Sequence, residues 1–154
     1  MLDLKRILLP VDYSEHSRQT LLFAAGLAKQ LGAAIDVLHV AEYPLRMPGD
    51  INVVQGGKKR PLGELLLENA EREMEEFLRS PEPQGVPISH KLNHGEPAGR
   101  ILSAIEAGHY DLVVIGTHGR TGFQHWLLGS VAERVLRLSP VAVLTFPWRS
   151  RESA

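Results

Sequence analysis

The chain reads as one α/β domain, a doubly wound parallel sheet of five strands with helices on both faces. Three observations predict it. Short apolar runs alternate with amphipathic stretches of helical period along the chain. Runs such as Leu112-Val113-Val114-Ile115 are apolar at every position, as strands covered on both faces are. The length, 154 residues, fits one domain on a scale of about 150 residues per domain.

Ile7-Leu8-Leu9 is the first strand, stopped by Pro10. Ser14 is the N-cap of a first helix in which Leu21, Leu22, Ala25, Ala28 and Leu31 recur at helical spacing, and Gly32 ends it. Ile35 to Val40 is the second strand. Leu67, Ala70, Met74 and Phe77 form the apolar stripe of a second helix, with Glu68–Arg72 and Glu75–Arg79 as charge pairs four apart on its exposed side. Pro87 to Leu92 is a weaker strand, placed at an edge by its proline and polar residues. Pro97 opens a third helix with Ile101, Leu102 and Ile105 inward and Gly108 at its close. Leu112 to Ile115 is the fourth strand, Val131 to Leu138 the fourth helix and Val141 to Phe146 the last strand.

Residues 43 to 62 break this rhythm. They hold Pro44, Pro48, Gly49, Gly56, Gly57 and Pro61 beside Arg46, Lys58, Lys59 and Arg60. A stretch of that length reads either as a solvated, mobile connection or as a basic flap reaching a ligand's phosphates. The domain is expected over residues 1–148, followed by a polar tail at 149–154.

Composition narrows the function. With 44% apolar residues the chain can build a core, and no apolar run approaches the ~20 residues of a membrane span. No signal peptide is legible at the start. Cysteine is absent, which removes disulfides, thiolate metal sites and a cysteine nucleophile and fits a cytoplasmic protein. Seventeen basic and eighteen acidic residues give a net charge of −1, so nothing points to nucleic acid or an anionic membrane.

In a doubly wound sheet, ligands bind beyond the carboxyl ends of the strands where the winding reverses. Asp12, Val40 and Gly116 to Gly119 lie on that rim. Gly116 follows a buried strand, where a missing Cβ lets a ligand approach the backbone. Gly129-Ser130 opens a helix, whose free N–H groups and positive dipole end suit an anion. Ser130 with Glu133 also forms a Ser-x-x-Glu capping box, so phosphate binding and capping both remain open for it. The alternative for the glycines is a tight turn alone, and for Asp12 a solvated turn. His118 and His125 lack the clustered partners a transition metal needs, and His39, His90 and His94 have no partner legible in sequence. Arg120 stands either beside the phosphates or in solvent, and Trp126-Leu127-Leu128 is a packing or interface patch. A Gly-x-x-x-x-Gly-Lys-Ser/Thr loop, a Gly-x-Gly-x-x-Gly after the first strand and the acidic cluster of a receiver domain are all missing.

Gly116-x-x-Gly119, nine residues, then Gly129-Ser130 resembles the nucleotide-binding signature of the universal stress protein family, in the branch that binds ATP. Ile7-Leu8-Leu9-Pro10-Val11-Asp12 with Ser14, Gly95-Glu96-Pro97, Asp111 to Gly116 and Gly129 to Leu136 extend the resemblance over nearly the whole chain. It implies a Rossmann-like sheet of strand order 3-2-1-4-5. It places Asp12 near the adenosine and ribose, and the Val40 backbone at the adenine edge. Gly116 and Gly119 would lie beside the ribose and phosphates, and Gly129, Ser130 and Val131 would bind phosphate oxygens. It further implies ATP, or ADP or AMP, with Mg2+ or Mn2+ held mainly by the phosphates, and a homodimer through Val141 to Phe146. The function so implied is a cytoplasmic nucleotide sensor or switch acting on an unidentified protein partner. Slow ATP hydrolysis, or an interaction module with a vestigial site, are the alternatives. No residue is assigned a catalytic role.

Overall fold

The computed structural model describes residues 3–42, 44, 51–79, 85–118 and 128–147. The elements follow the order β1 (Arg6–Val11), α1 (Glu15–Leu31), β2 (Ala34–Ala41), β3 (Asn52–Gln55), β4 (Lys58–Pro61), α2 (Leu62–Arg79), β5 (Ile88–His94), α3 (Pro97–Gly108), β6 (Leu112–Gly116), α4 (Ser130–Leu138) and β7 (Ala142–Phe146). The large sheet runs β5-β2-β1-β6-β7, with every neighbouring pair parallel. Counting only its own strands, that is the order 3-2-1-4-5.

Side chains alternate between the two faces of each strand, and the core divides accordingly. Ile7, Leu9, Val37 and Val114 pack with Leu21 and Ala28 of α1 and Met74 and Phe77 of α2. Leu8, Leu38, Val40, Val113 and Ile115 pack with Ile101 and Ile105 of α3 and Ala132 and Val135 of α4. Helices on both faces explain why β1, β2 and β6 are largely apolar, with Arg6, Asp36 and His39 the exceptions. β5, at the sheet edge, alternates half-buried and exposed residues over its first half instead.

The helix ends follow local chemistry. The Ser14 hydroxyl accepts from the Ser17 amide at 3.1 Å, and Gly32 takes the left-handed conformation (φ 65°) that turns the Ala33 N–H back onto the Ala28 carbonyl at 2.9 Å. At α3, Pro97 takes the first turn while the Glu96 carboxylate accepts from the Ala98 and Gly99 amides at 3.0 and 2.8 Å. The left-handed residue ending α3 is His109, not Gly108, which is still helical.

Several expectations are corrected. Residues 52–61 are not loop: β3 and β4 pair as an antiparallel hairpin, closed by Gly56 and Gly57 at φ 57° and 78°. Two successive positive φ angles are what a two-residue type I′ turn requires. The hairpin is tied to α2 by the Leu62 amide on the Ile51 carbonyl at 2.9 Å, so α2 begins five residues before Leu67. Positions 43 and 45–50 of the same stretch, and the tail at 149–154, lie outside the described residues. Leu22 and Leu67 stand largely exposed rather than in the core. Glu68 pairs with Arg60 of the hairpin, and Arg72 donates to Asn69 instead.

Pro10 does not stop the first strand. It sits inside β1, paired with Leu38 of β2. The Lys5 carbonyl accepts from Ala34 ahead of Ile35, and the Arg6 carbonyl from Asp111 ahead of β6. Odd-numbered residues therefore turn their backbone groups to β2 and even-numbered ones to β6. Pro10, having no N–H, removes a donor on the β6 side only. The β1–β2 ladder runs from Arg6 to Val11, whereas the β1–β6 ladder is formed at Ile7–Leu112 and Leu8–Val113. The sheet is thus left unlaced at the carboxyl ends of its two central strands.

Candidate functional site

That gap lies at the point where the winding reverses, between the strand that leads into α1 and the strand that leads toward α4. Asp12 follows β1 on its rim. One carboxylate oxygen accepts from the Ser14 amide at 3.0 Å and the Ser17 hydroxyl at 2.7 Å, and the Asp12 amide donates to that hydroxyl at 3.0 Å. The carboxylate is thereby fixed against the first turn of α1. Next to it Tyr13 holds a left-handed conformation, φ 64°, which costs a residue with a Cβ energy that packing must offset. The compensation is visible: its ring stacks on His39 at 4.1 Å and leans on Phe77 at 5.4 Å. The His39 Nδ1 is in turn 2.9 Å from the Val11 carbonyl. Val40, buried at the carboxyl end of β2, belongs to the face covered by α3 and α4.

Gly129 is the N-cap of α4, and among the described residues no side-chain cap is formed at that end. Ser130 is the first helical residue, so the Ser130–Glu133 capping box expected from sequence is not formed. A box needs its serine at the N-cap and its acid three residues on, and here the frame is shifted by one. The first-turn amides of α4 are therefore left to other partners, beside an exposed Ser130 hydroxyl. The Gly129 amide donates to the Thr117 carbonyl at 2.7 Å. A Cβ at Gly129 would lie 3.0 Å from that same oxygen. A side chain there would push the start of α4 and the end of β6 apart by a few tenths of an ångström.

The reason for Gly116 differs from the one expected. Alternation turns its missing Cβ toward α1, not toward the gap. A Cβ there would stand 2.8 Å from the His16 ring and 3.1 Å from the Thr20 hydroxyl. His16, 4% exposed, fills that space and places Nε2 3.1 Å from the Thr117 amide. Its ring also stacks on Phe146 at 5.9 Å and meets His118 edge-on at 6.1 Å. Burial, reinforced by His118, pushes the His16 pKa below 6.5, against a smaller upward pull from the Phe146 carbonyl and Asp12. Thr117 Oγ1 is 2.8 Å from His118 Nδ1. His16 was not legible as a site residue, because a histidine on an amphipathic helix reads as solvated.

Across the rim, Arg134 of α4 pairs with Glu96 at 2.9 Å. The Gly99 amide, then Ala98 and Arg134, hold the Glu96 carboxyl below its usual range despite some desolvation. Gly119, Arg120, His125, Trp126 and Leu127 lie outside the described residues. Among the described residues no three His, Cys, Asp or Glu side chains come together to hold a metal ion. No described helix is long and apolar enough to cross a membrane.

Fold and site together define a doubly wound α/β domain with a glycine-capped helix N-terminus at its topological switch point. Residues 3–147 match the Universal stress protein family. The chain is 32% identical over 147 residues to Universal stress protein MJ0531 of Methanocaldococcus jannaschii, covering 93% of this chain and 83% of that protein. The chain belongs to the universal stress protein family. Among solved structures, protein MJ0577 of the same organism superposes with a TM-score of 0.73 at 24% identity, over 96% of this chain and 99% of that one. A universal stress protein in complex with cAMP superposes at 0.64 (19% identity, covering 94% and 98%). One from Archaeoglobus fulgidus in complex with dAMP does so at 0.61 (20% identity, covering 94% and 98%). At these identities the likeness concerns the fold.

Proposed function

We propose that this protein binds an adenine nucleotide, ATP foremost, at the gap between β1 and β6, and acts as a nucleotide-dependent sensor or switch. The observation that carries the reading is the glycine-capped start of α4. Among the described residues its first-turn amides have no side-chain cap, and they stand on a rim that also bears Asp12. Solved relatives of the same fold hold cAMP and dAMP. In this reading the amides of Ser130 and Val131, with Gly129 and the Ser130 hydroxyl, take the phosphates. Asp12 faces the ribose, the Val40 backbone meets the adenine edge, and the chain at Gly116 and Gly119 passes beside the sugar and phosphates. Mg2+ or Mn2+ would be held chiefly by the phosphates, as suits an ion that dehydrates reluctantly.

A homodimer through β7 belongs to the same proposal. β7 ends the sheet with one side unpaired, and Leu136 and Leu138 of α4 and Phe23 of α1 are exposed. Cytoplasmic location and a protein partner complete the reading.

The test is a thermal-shift titration with ATP, ADP, AMP and GTP, with and without Mg2+. Ligand at about 100 times its dissociation constant stabilises a fold by roughly 2.7 kcal/mol, a rise of several degrees at about 2–4 °C per kcal/mol. An adenine-selective rise is expected; a flat response to every nucleotide overturns the reading.

A further inference from the structure

Two hydrogen bonds through Thr117 join α1 to α4. His16 Nε2 lies 3.1 Å from the Thr117 amide, and the Thr117 carbonyl accepts from the Gly129 amide at 2.7 Å. One residue thus links a buried ring on α1 to the N-cap of the helix proposed to bind phosphate. We infer that His16 is a positioning residue for that site, holding Thr117 and through it the first turn of α4 while its ring is neutral. The inference rests on the nucleotide reading above and assigns that site a control by protons.

The geometry makes the ring's protonation state matter. The Thr117 N–H lies between two acceptors, His16 Nε2 at 3.1 Å and the Phe146 carbonyl at 3.0 Å. A neutral imidazole offers one acceptor nitrogen; a protonated one offers two donors and none. On protonation Nε2 faces the Thr117 amide donor to donor, while the Phe146 carbonyl still suits both. The ring cannot turn away freely, because it fits against the Cβ-less Gly116 and stacks on Phe146. The groups facing it are His118 beyond β6 and Asp12 beyond β1, of opposite effect, together with the Phe146 carbonyl of β7. Burial places the titration on the acid side of 6.5. Acidification therefore slackens the link between α1 and α4.

The experiment compares the full chain with His16→Gln, which keeps a neutral acceptor, and His16→Phe, which keeps the stack and loses the acceptor. The affinity for ATP with Mg2+ is measured by calorimetry at about pH 8 and about pH 5.5, either side of the ordinary histidine range. One lost hydrogen bond corresponds to roughly a fivefold change in affinity. The unaltered protein should weaken on acidification by about that factor more than His16→Gln, the ligand's own titration being common to both. His16→Phe should be weaker than His16→Gln by a similar factor at both pH values. His118→Gln should leave the difference in place. A ratio between unaltered protein and His16→Gln that is constant with pH overturns the inference. The Thr117 amide resonance gives a second readout that needs no ligand: its shift should titrate in the unaltered protein and stay level in His16→Gln. If the unaltered protein fails to bind ATP at about pH 8, the nucleotide reading falls by itself. The amide then decides the linkage, and identical titrations in both proteins overturn it.

Discussion

Replacing Asp36 by Asn should remove an acid-sensitive part of the stability and leave ligand binding untouched. Asp36 is buried near the amino end of β2, the end of the sheet opposite the candidate site. Burial alone would raise its pKa. Hydrogen bonds from Ser89, Tyr110 and Arg6, aided by the charge of Lys91, outweigh that and bring it from 3.8 to about 2. The Tyr110 hydroxyl donates at 2.6 Å and Arg6 at 2.8 Å. A carboxyl with a folded-state pKa below its unfolded value stabilises the fold above the unfolded value and loses that contribution as pH falls through the folded one. At 1.36 kcal/mol per pKa unit, the shift corresponds to about 2 kcal/mol at neutral pH, about half of it gone near pH 3 and most of it near pH 2. Arg6 and Lys91 are 43% and 53% exposed in their side chains. They can rehydrate in the variant, so the larger penalty of a stranded buried charge does not arise. Urea titrations of both proteins between about pH 7 and about pH 2 check this, since the gap should begin near 2 kcal/mol and close on acidification. A gap that stays constant with pH would refute the reasoning, because it would trace to packing rather than to ionisation.

Gly116→Ala should destabilise the protein by about 1–3 kcal/mol, since a methyl group must displace the buried His16 ring. The same substitution in a His16→Ala background should cost less, and a double-mutant cycle by urea denaturation reads the difference. Ser14→Ala should lower stability by about 1 kcal/mol and the melting temperature by about 2–4 °C through loss of the α1 cap, measured by calorimetry. Gly129→Val should keep the far-ultraviolet spectrum and lose ATP affinity by at least about tenfold, because its side chain crowds the Thr117 carbonyl at the start of α4. Unchanged affinity there would mean that the site has been placed wrongly.

The sheet could be read from sequence because its strands are covered on both faces, which leaves apolar runs that no surface element imitates. The caps at Ser14, Gly32 and Pro97 were equally plain, each being a local demand of the backbone. The β3–β4 hairpin was hidden for the opposite reason. Its faces are largely solvated, so Asn52, Gln55 and Lys58 to Arg60 carry no alternation, and its Gly56-Gly57 turn passes for loop composition. Pro10 misled because its missing N–H matters on one side of β1 only, a fact of pairing that a single strand does not reveal. At the candidate site the glycine spacing was legible, but not what two of those glycines do. The tasks of Gly116 and Gly129, making room for the His16 ring and for the Thr117 carbonyl, depend on contacts between residues 100 and 12 positions apart.

The bond between the Thr117 carbonyl and the Gly129 amide also bears on how such a domain can diversify. It holds Thr117 and Gly129, which flank residues 118–128 in sequence, against each other. Doubling the length of a closed stretch costs only about 0.6 kcal/mol in chain entropy. Under the proposed function, selectivity for a base, a phosphate count or a partner can be rewritten in that segment while the sheet, its caps and the start of α4 are inherited unchanged.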